Sequence, residues 1–224
     1  MASHHHFEKH TNNGKEEALG LQTIRAGFEK KQHCLNTPEI IKVTQNKLVI
    51  SRIIEPRQPR STQFWHKLGR ELARLHKNMT NSRFGFQTDN FCGLSPQKNT
   101  WHDDWGHFFF HNRLLFQLSL MKNRQHAETL KNKFLSLKTM IIETLNAHSP
   151  KPSLVHGDLW GGNVMCQCSD DGEQEPVLID PAVYFADREV DIAFSKMFGG
   201  FDKVFYHSYD QTYPLAKGYK LRFR

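Results

Sequence analysis

The stretch that decides the fold is LVHGDLWGGNVMCQCSDDGEQEPVLIDPAVYFADREVD, residues 154–191. Two short apolar runs within it each lead to an acidic residue, Asp158 after the first and Asp180 after the second. Asn163 follows in the glycine-containing loop after Asp158, and glycines allow such a loop to turn tightly. The pattern therefore predicts two carboxylates and one amide oxygen that meet near the ends of short strands.

These three side chains are the set that phosphoryl transfer from a nucleotide requires. On this interpretation Asp158 accepts the proton of a substrate hydroxyl. Asn163 and Asp180 bind Mg²⁺, because a hard cation prefers oxygen ligands. The alternative is that both acids are turn residues and Asn163 is a cap. The joint spacing of strand, acid, amide, strand and acid favours the catalytic interpretation.

Three neighbouring side chains are candidates for supporting this centre. His156 is expected to brace the loop by hydrogen bonds, because Asp158 already fills the role of a base. Asp191 either holds backbone amides of the same loop or caps the helix that follows it. The indole of Trp160 either stacks on the apolar face of a sugar or packs beneath the loop, and the first is favoured.

The remainder of the chain predicts an α+β protein with a small β-containing lobe and a larger, mainly helical lobe. Residues 1–13 are expected to be unstructured or to derive from a tag. Residues 14–58 contain a helix from Gly14 and two β-branched runs that predict strands. Residues 59–224 supply apolar helices around the acidic stretch, and the prolines between 55 and 60 mark the boundary.

Within the larger lobe, the spacing of apolar residues predicts a helix that begins at Ser61 or Thr62. Two further helices are predicted over residues 103–121 and 125–147. Residues 79–100 are predicted to be a loop, because glycine, proline, asparagine and serine are frequent there.

Composition is that of an ordinary globular protein of 224 residues, 38% of them hydrophobic. No apolar run approaches the roughly 18 residues of a membrane span, and no secretory signal is visible, so we expect a cytoplasmic protein with reduced cysteines and no membrane partner.

The net charge is +7, but the lysines and arginines are scattered. Solvation and attraction of an anionic nucleotide explain this charge without a nucleic-acid partner. The sequence predicts no particular oligomeric state.

Several longer motifs carry a resemblance to a known family. The central ones are HGDLWGGN at 156–163, IDPAVYFADREVDIAF at 179–194 and FGGF at 198–201. Upstream motifs are EALGL at 17–21, KLGRELARLH at 67–76 and DNFCGLSPQKNTWHDDW at 89–105. Together they resemble the fructosamine kinase, or ketosamine 3-kinase, family, a branch of the aminoglycoside phosphotransferase group with a protein-kinase-like fold.

The resemblance implies ATP-dependent phosphorylation of the 3-hydroxyl of a sugar joined through a ketoamine to an amine or to a protein lysine. Because the phosphorylated adduct is unstable, the family activity is regarded as deglycation repair. The implied roles are base for Asp158, Mg²⁺ ligands for Asn163 and Asp180, and sugar contact for Trp160. Glu17 would pair with a lysine that binds the nucleotide. The residues implied to line the adenine hinge are Ser51, Arg52 and Ile53.

The chain also departs from the family pattern. Members of the family begin with a glycine-containing strand pair over the phosphates, followed by a strand that carries a lysine. Here only Phe7–Lys9 resembles this lysine-bearing strand, and Lys9 is closer to Glu17 in sequence than the family spacing. No glycine-containing strand pair precedes it, and the family continues into further helices beyond YPLAKGY at 213–219. We therefore expect a shortened kinase with an incomplete small lobe. The alternatives are a catalytically silent kinase-like protein and an aminoglycoside or choline-type phosphotransferase.

Overall fold

The small lobe consists of one helix packed on a three-stranded antiparallel sheet. The computed structural model describes residues 6–30, 33–44 and 46–223. In this lobe the elements are β1 (His6–His10), α1 (Gly14–Glu29), β2 (Ile40–Thr44) and β3 (Lys47–Ser51), with β3 in the middle of the sheet. Ala18 and Leu21 of α1 form a small apolar core with Leu48 and Ile50 of β3. The helix is therefore held by the apolar face predicted from its sequence.

Strand β1 corrects the expectation that residues 1–13 are unstructured. It pairs with β3 in an unbroken register, from His6 opposite Ser51 to His10 opposite Lys47. Composition did not reveal this strand because its side chains are mostly polar and exposed, and even Phe7 is 54% exposed. Backbone hydrogen bonds to the apolar β3 order it instead. Residues 1–5 lie outside the described part of the chain.

The larger lobe follows the proline-containing linker. Its helices are α2 (Thr62–Asn78), α3 (Trp105–Phe109), α4 (Phe116–Ser119), α5 (Arg124–Ser136), α6 (Lys138–Asn146), α7 (Glu189–Phe198), α8 (Lys203–Thr212) and α9 (Tyr219–Arg222). Its strands are β4 (Asn90–Cys92), β5 (Ser95–Gln97), β6 (Ser153–Val155), β7 (Val164–Cys168), β8 (Gln174–Leu178) and β9 (Tyr184–Ala186). They form three antiparallel pairs, β4–β5, β6–β9 and β7–β8.

Helix α2 is the central element of the large core. The Ser61 hydroxyl accepts a hydrogen bond from the Phe64 amide at 3.1 Å, which caps the helix as predicted. Its fully buried apolar residues include Phe64, Leu68 and Leu72. Burial of each such side chain stabilises the fold by about 1.5–3 kcal/mol. Gly69 allows α8 to approach closely, since a Cβ there would lie 2.2 Å from the carbonyl oxygen of Phe205.

Three predictions within the larger lobe require correction. The segment predicted as a loop over 79–100 contains the hairpin β4–β5, which its asparagine, proline and glycine content concealed. The helix predicted over 103–121 is interrupted by a π-helical segment at Phe110–Leu115. The helix predicted over 125–147 is divided at Leu137, whose φ of −101° and ψ of 3° depart from helical values.

Helix α1 of the small lobe also packs against the larger lobe. Its Ile24 is fully buried in the main core, together with residues of α2 and of β6. Gly20 packs against Pro181, since a Cβ at Gly20 would lie 3.0 Å from the proline ring. These contacts fix α1, and with it Glu17, next to the segment that carries Asp180. Within the described residues, no helix is long and apolar enough to cross a membrane.

Candidate active site

The two acidic residues of the central stretch each follow a short strand. Asp158 lies just after β6, and Asp180 lies just after β8. A backbone hydrogen bond of 3.1 Å from the Ile179 amide to the Asn163 carbonyl joins the end of β8 to the start of β7. The Asn163 side-chain NH₂ donates to the Asp158 backbone carbonyl at 2.9 Å and to its carboxylate at 3.1 Å. The structure thus brings together all three side chains predicted to form the centre.

Gly157 gives the loop its tight turn. Its φ is +83°, and a Cβ at this position would lie 2.2 Å from the carbonyl oxygen of Ala182. Both constraints require glycine. Asp180 is one of the described residues other than glycine with a positive φ, 51°, a conformation that costs energy and concentrates at functional sites.

Asp191 holds the same loop from the first turn of α7. One carboxylate oxygen accepts the His156 amide at 2.7 Å, and the other accepts the Gly157 amide at 2.9 Å. Of the two possibilities left by the sequence, the structure therefore places this side chain on the loop amides. Because Asp191 is completely buried, its carboxylate anchors the backbone of the loop before Asp158 to the core.

A buried network compensates the charge of Asp191. His76 Nε2 lies 3.1 Å from its carboxylate, and His76 Nδ1 lies 2.8 Å from the Tyr209 hydroxyl, which also accepts from Arg188. Burial disfavours the carboxylate, but the hydrogen bonds from His76 and the loop amides outweigh it and lower the pKa of Asp191. Burial lowers the pKa of His76. Sequence reasoning missed His76, whose only signal was its place at the end of the KLGRELARLH motif.

His156 joins the ends of β6 and β8 through its ring. Its Nε2 lies 2.9 Å from the Ile179 carbonyl, and its Nδ1 accepts the Asp158 amide at 3.3 Å. These partners select the neutral imidazole with its proton on Nε2. Burial lowers the pKa of His156, which favours the same form. The ring is thus a hydrogen-bonding brace between the segments that carry Asp158 and Asp180.

Lys9 meets two carboxylates at the edge of the small lobe. Its Nζ lies 2.8 Å from Glu17 and 3.0 Å from Asp180. The short sequence separation between Lys9 and Glu17 is sufficient for this ion pair, because residues 11–13 reverse the chain directly from β1 into α1. Burial opposes the ammonium charge, yet the two carboxylates raise the pKa of Lys9. Burial is also the main reason that the pKa of Glu17 is raised to about 7, against the opposing effect of Lys9.

A cavity of about 790 Å³ lies between the lobes at this point. Lys9, Glu17, Asp158 and Asp180 all line it. Its remaining lining comes from the turn after β1, the start of α1, Asn46, Asn90, Pro181, and the hairpin residues Phe91, Gly93 and Leu94. A single cavity between the lobes thus contacts the ammonium group of Lys9 and four carboxylates, those of Glu16, Glu17, Asp158 and Asp180.

Four of the predicted site residues lie away from the cavity and from the network that holds the loop before Asp158. Ser51, Arg52 and Ile53 are at the end of the sheet where His6 pairs with Ser51, whereas the cavity is at the end where His10 pairs with Lys47. These ends are roughly 13 Å apart along the strand. Trp160 is 43% exposed, and its ring covers Gly162, where a Cβ would lie 2.2 Å from the indole.

Cys92 is a neighbour of the loop before Asp158 that the sequence did not single out. Its thiol lies 3.9 Å from the Gly157 carbonyl oxygen. Burial, aided by the proximity of Asp158, raises the pKa of this thiol to about 12. It therefore remains protonated near neutral pH and can act as a weak donor to the loop.

The family model for fructosamine kinase matches residues 6–224. The chain belongs to the fructosamine kinase family. A probable ketoamine kinase of Synechocystis is 40% identical over 158 residues, which cover 70% of this chain and 51% of that protein. A chloroplastic protein-ribulosamine 3-kinase of Arabidopsis thaliana is 37% identical over 211 residues, which cover 92% of this chain and 61% of that protein. This fructosamine kinase family member thus spans about half to three-fifths of the length of these curated relatives.

Solved structures confirm the predicted fold class. A fructosamine-3-kinase homologue from Haemophilus somnus is 27% identical with a TM-score of 0.76, over 97% of this chain and 71% of that one. An aminoglycoside phosphotransferase solved with gentamicin is 16% identical with a TM-score of 0.57, over 96% of this chain and 72% of that one. The second likeness concerns the fold alone.

Proposed function

We propose that this chain carries the catalytic centre of an ATP-dependent ketosamine kinase. The observation that carries the proposal is the placement of Asp158, Asp180, Lys9 and Glu17 around one cavity, with Asn163 bonded to Asp158. A base, two oxygen ligands and a lysine held by a glutamate are the parts that kinase chemistry combines.

In the proposed reaction, the substrate hydroxyl oxygen forms a bond to the γ-phosphorus while the bond from that phosphorus to ADP breaks. The hydroxyl proton passes to the Asp158 carboxylate. The Asn163 amide donates to that carboxylate and holds it in one orientation. Because transfer passes through a loose transition state, orientation of the hydroxyl contributes more than basicity.

The donor set fits a divalent cation, for which we propose Mg²⁺. The Asn163 side-chain NH₂ faces Asp158, which leaves its carbonyl oxygen as a ligand, and the Asp180 carboxylate supplies a second oxygen. One oxygen of Glu17 is buried without a hydrogen-bond partner among the described residues, as expected where a cationic group completes the site. When bound, the cation neutralises charge on the nucleotide phosphates.

The remaining site residues take supporting roles in this proposal. Lys9, oriented by Glu17, contacts the phosphates, and the hinge residues Ser51, Arg52 and Ile53 contact adenine at the far end of the sheet. Trp160, partly exposed on the loop between Asp158 and Asn163, is the proposed sugar contact. His156 and Asp191 act through the loop backbone and are positioning residues.

The names of the relatives indicate the substrate class. Ketoamine and protein-ribulosamine kinases act on sugars attached to amines, so the proposed acceptor is the 3-hydroxyl of a ketosamine on a small amine or on a protein lysine. Phosphorylation there would serve the removal of sugar from glycated amines.

Two measurements test the proposal. Calorimetry should detect binding of Mg-ATP, and coupled ADP release should then depend on addition of a fructosyl-amine. Nucleotide binding without acceptor-dependent ADP release would favour the silent kinase-like protein. ADP release with an aminoglycoside or choline, and none with fructosyl-amines, would favour the other phosphotransferases.

A further inference from the structure

The hairpin β4–β5 forms an apolar wall in an otherwise polar cavity. The hairpin residues Phe91, Gly93 and Leu94 line it, and Pro181 is a further apolar residue of the lining. The other lining residues are charged or polar, among them Lys9, His10, Asn13, Glu16 and Asp158. A ligand that fills this cavity therefore meets both hydrogen-bonding groups and hydrocarbon.

The hairpin tip has a defined shape. Gly93 and Leu94 form the two-residue connection between β4 and β5, with Cys92 opposite Ser95. Gly93 has a φ of +57°, the value of a tight turn with glycine at its first central position. Leu94 is 96% exposed. Because Leu94 also lines the cavity, its side chain is open to contact with a ligand there.

Buried amide groups fasten the hairpin to the segment after Asp180. The Asn90 side chain donates to the Val183 carbonyl at 2.9 Å and accepts from the Asn99 side chain at 2.8 Å. Arg113, from the π-helical segment, donates to Asn99 at 2.9 Å and lies over the Tyr184 ring at 4.1 Å. The position of the tip relative to Asp158 is consequently set by the core.

Resting on the proposed function, we infer that Phe91 and Leu94 form a subsite for the hydrocarbon stem of the amine that carries the sugar. A ketosamine has a polar end, the sugar with its hydroxyls, and an end whose polarity depends on the amine. The polar wall around Asp158 suits the sugar, and the hairpin wall suits an aliphatic stem such as that of lysine. The cavity therefore distinguishes ketosamines by the length of the alkyl chain on nitrogen.

The test is calorimetric binding of fructosyl-methylamine, fructosyl-propylamine and fructosyl-hexylamine to the full chain with Mg²⁺ and a non-hydrolysable ATP analogue. Contact of a few methylene groups with the hairpin should tighten binding about tenfold from methyl to hexyl. Leu94→Ser should bring the ratio of the hexyl and methyl dissociation constants close to one. The matched control is Leu135→Ser, at an exposed leucine on α5 outside the cavity, which should keep the parent ratio.

Equal affinities of the parent for the methyl and hexyl compounds would overturn the inference and leave the proposed function in place. Retention of the hexyl preference in Leu94→Ser would do the same. Failure of every ketosamine to bind, while the nucleotide analogue binds, would overturn the proposed function as well. Since Leu94 is almost fully exposed, its replacement by serine removes no core packing, and an equal melting temperature verifies this.

Discussion

The ammonium group of Lys9 lies 2.8 Å from the carboxylate of Glu17, although β1 and α1 belong to different layers of the small lobe. The same ammonium lies 3.0 Å from Asp180 in the larger lobe. This one side chain therefore links the two lobes at the cavity. The pair forms only because β1 adds to the sheet beside β3 and the chain then turns at once into α1.

Replacement of Lys9 by methionine should weaken Mg-ATP binding roughly 10- to 100-fold, because a charge-assisted contact to phosphate contributes about 1.5–3 kcal/mol. Calorimetric titration measures the change. Lys42→Met, on the exposed strand β2, is the matched control and should bind as the parent does. Equal affinity of the Lys9 variant would show that this lysine does not contact the nucleotide.

Replacement of Asp158 by alanine should lower acceptor-dependent ADP release by a factor of about 10²–10⁴, the usual contribution of a positioned base. Mg-ATP binding should be largely intact, because the proposed cation ligands are Asn163 and Asp180. The measurement pairs steady-state turnover with calorimetry, and Asp103→Ala, at an exposed surface acid, is the control. A variant that turns over as fast as the parent would remove Asp158 from the proposed role.

Replacement of Asp180 by alanine should weaken Mg-ATP binding, which the Asp158 variant should retain. Loss of one oxygen ligand should weaken binding of Mg-ATP while binding of ATP without the metal changes little. Titrations with and without Mg²⁺ separate the two effects. If both affinities fell equally, the contribution of Asp180 would lie in its ion pair with Lys9 and not in metal binding.

The central stretch was predictable because its chemistry is local in sequence. Asp158 and Asn163 share one loop, and Asp180 follows β8, which pairs with the strand β7 that begins after Asn163. The partners that hold this loop were not predictable, because His76 and Asp191 are 115 residues apart and meet only through packing of α2 in the core. Strand β1 was concealed for a related reason, since its order comes from pairing with β3 and not from its own composition.

Replacement of Asp191 by alanine should lower the free energy of unfolding by about 3 kcal/mol, because two buried amides and His76 lose their acceptor. Urea unfolding measures the loss. The matched control is Asp202→Ala, which removes an ordinary cap of α8 and should cost about 1 kcal/mol. Equal losses of unfolding free energy in the two variants would show that Asp191 contributes no more to stability than a helix cap.

His33 should make the fold sensitive to mild acid. It is fully buried, and its Nδ1 accepts the Leu35 amide at 3.1 Å. Burial lowers the pKa of His33 from 6.5 to about 4. The unfolded chain therefore binds a proton at this residue below about pH 6.5, while the folded chain does so only near pH 4. Stability from the neutral ring is complete above pH 6.5 and is lost as the pH falls through this range.

At pH 5 the loss attributable to His33 should be about 2 kcal/mol relative to pH 7. His33→Asn retains an acceptor for the Leu35 amide and cannot titrate, so its free energy of unfolding should fall about 2 kcal/mol less than that of the parent between these pH values. Urea unfolding at pH 7 and pH 5 provides both differences. His126→Asn, at an exposed histidine on α5, should keep the pH dependence of the parent. Parallel losses in the His33 variant and the parent would mean that the folded protein accommodates a charged ring at this buried position.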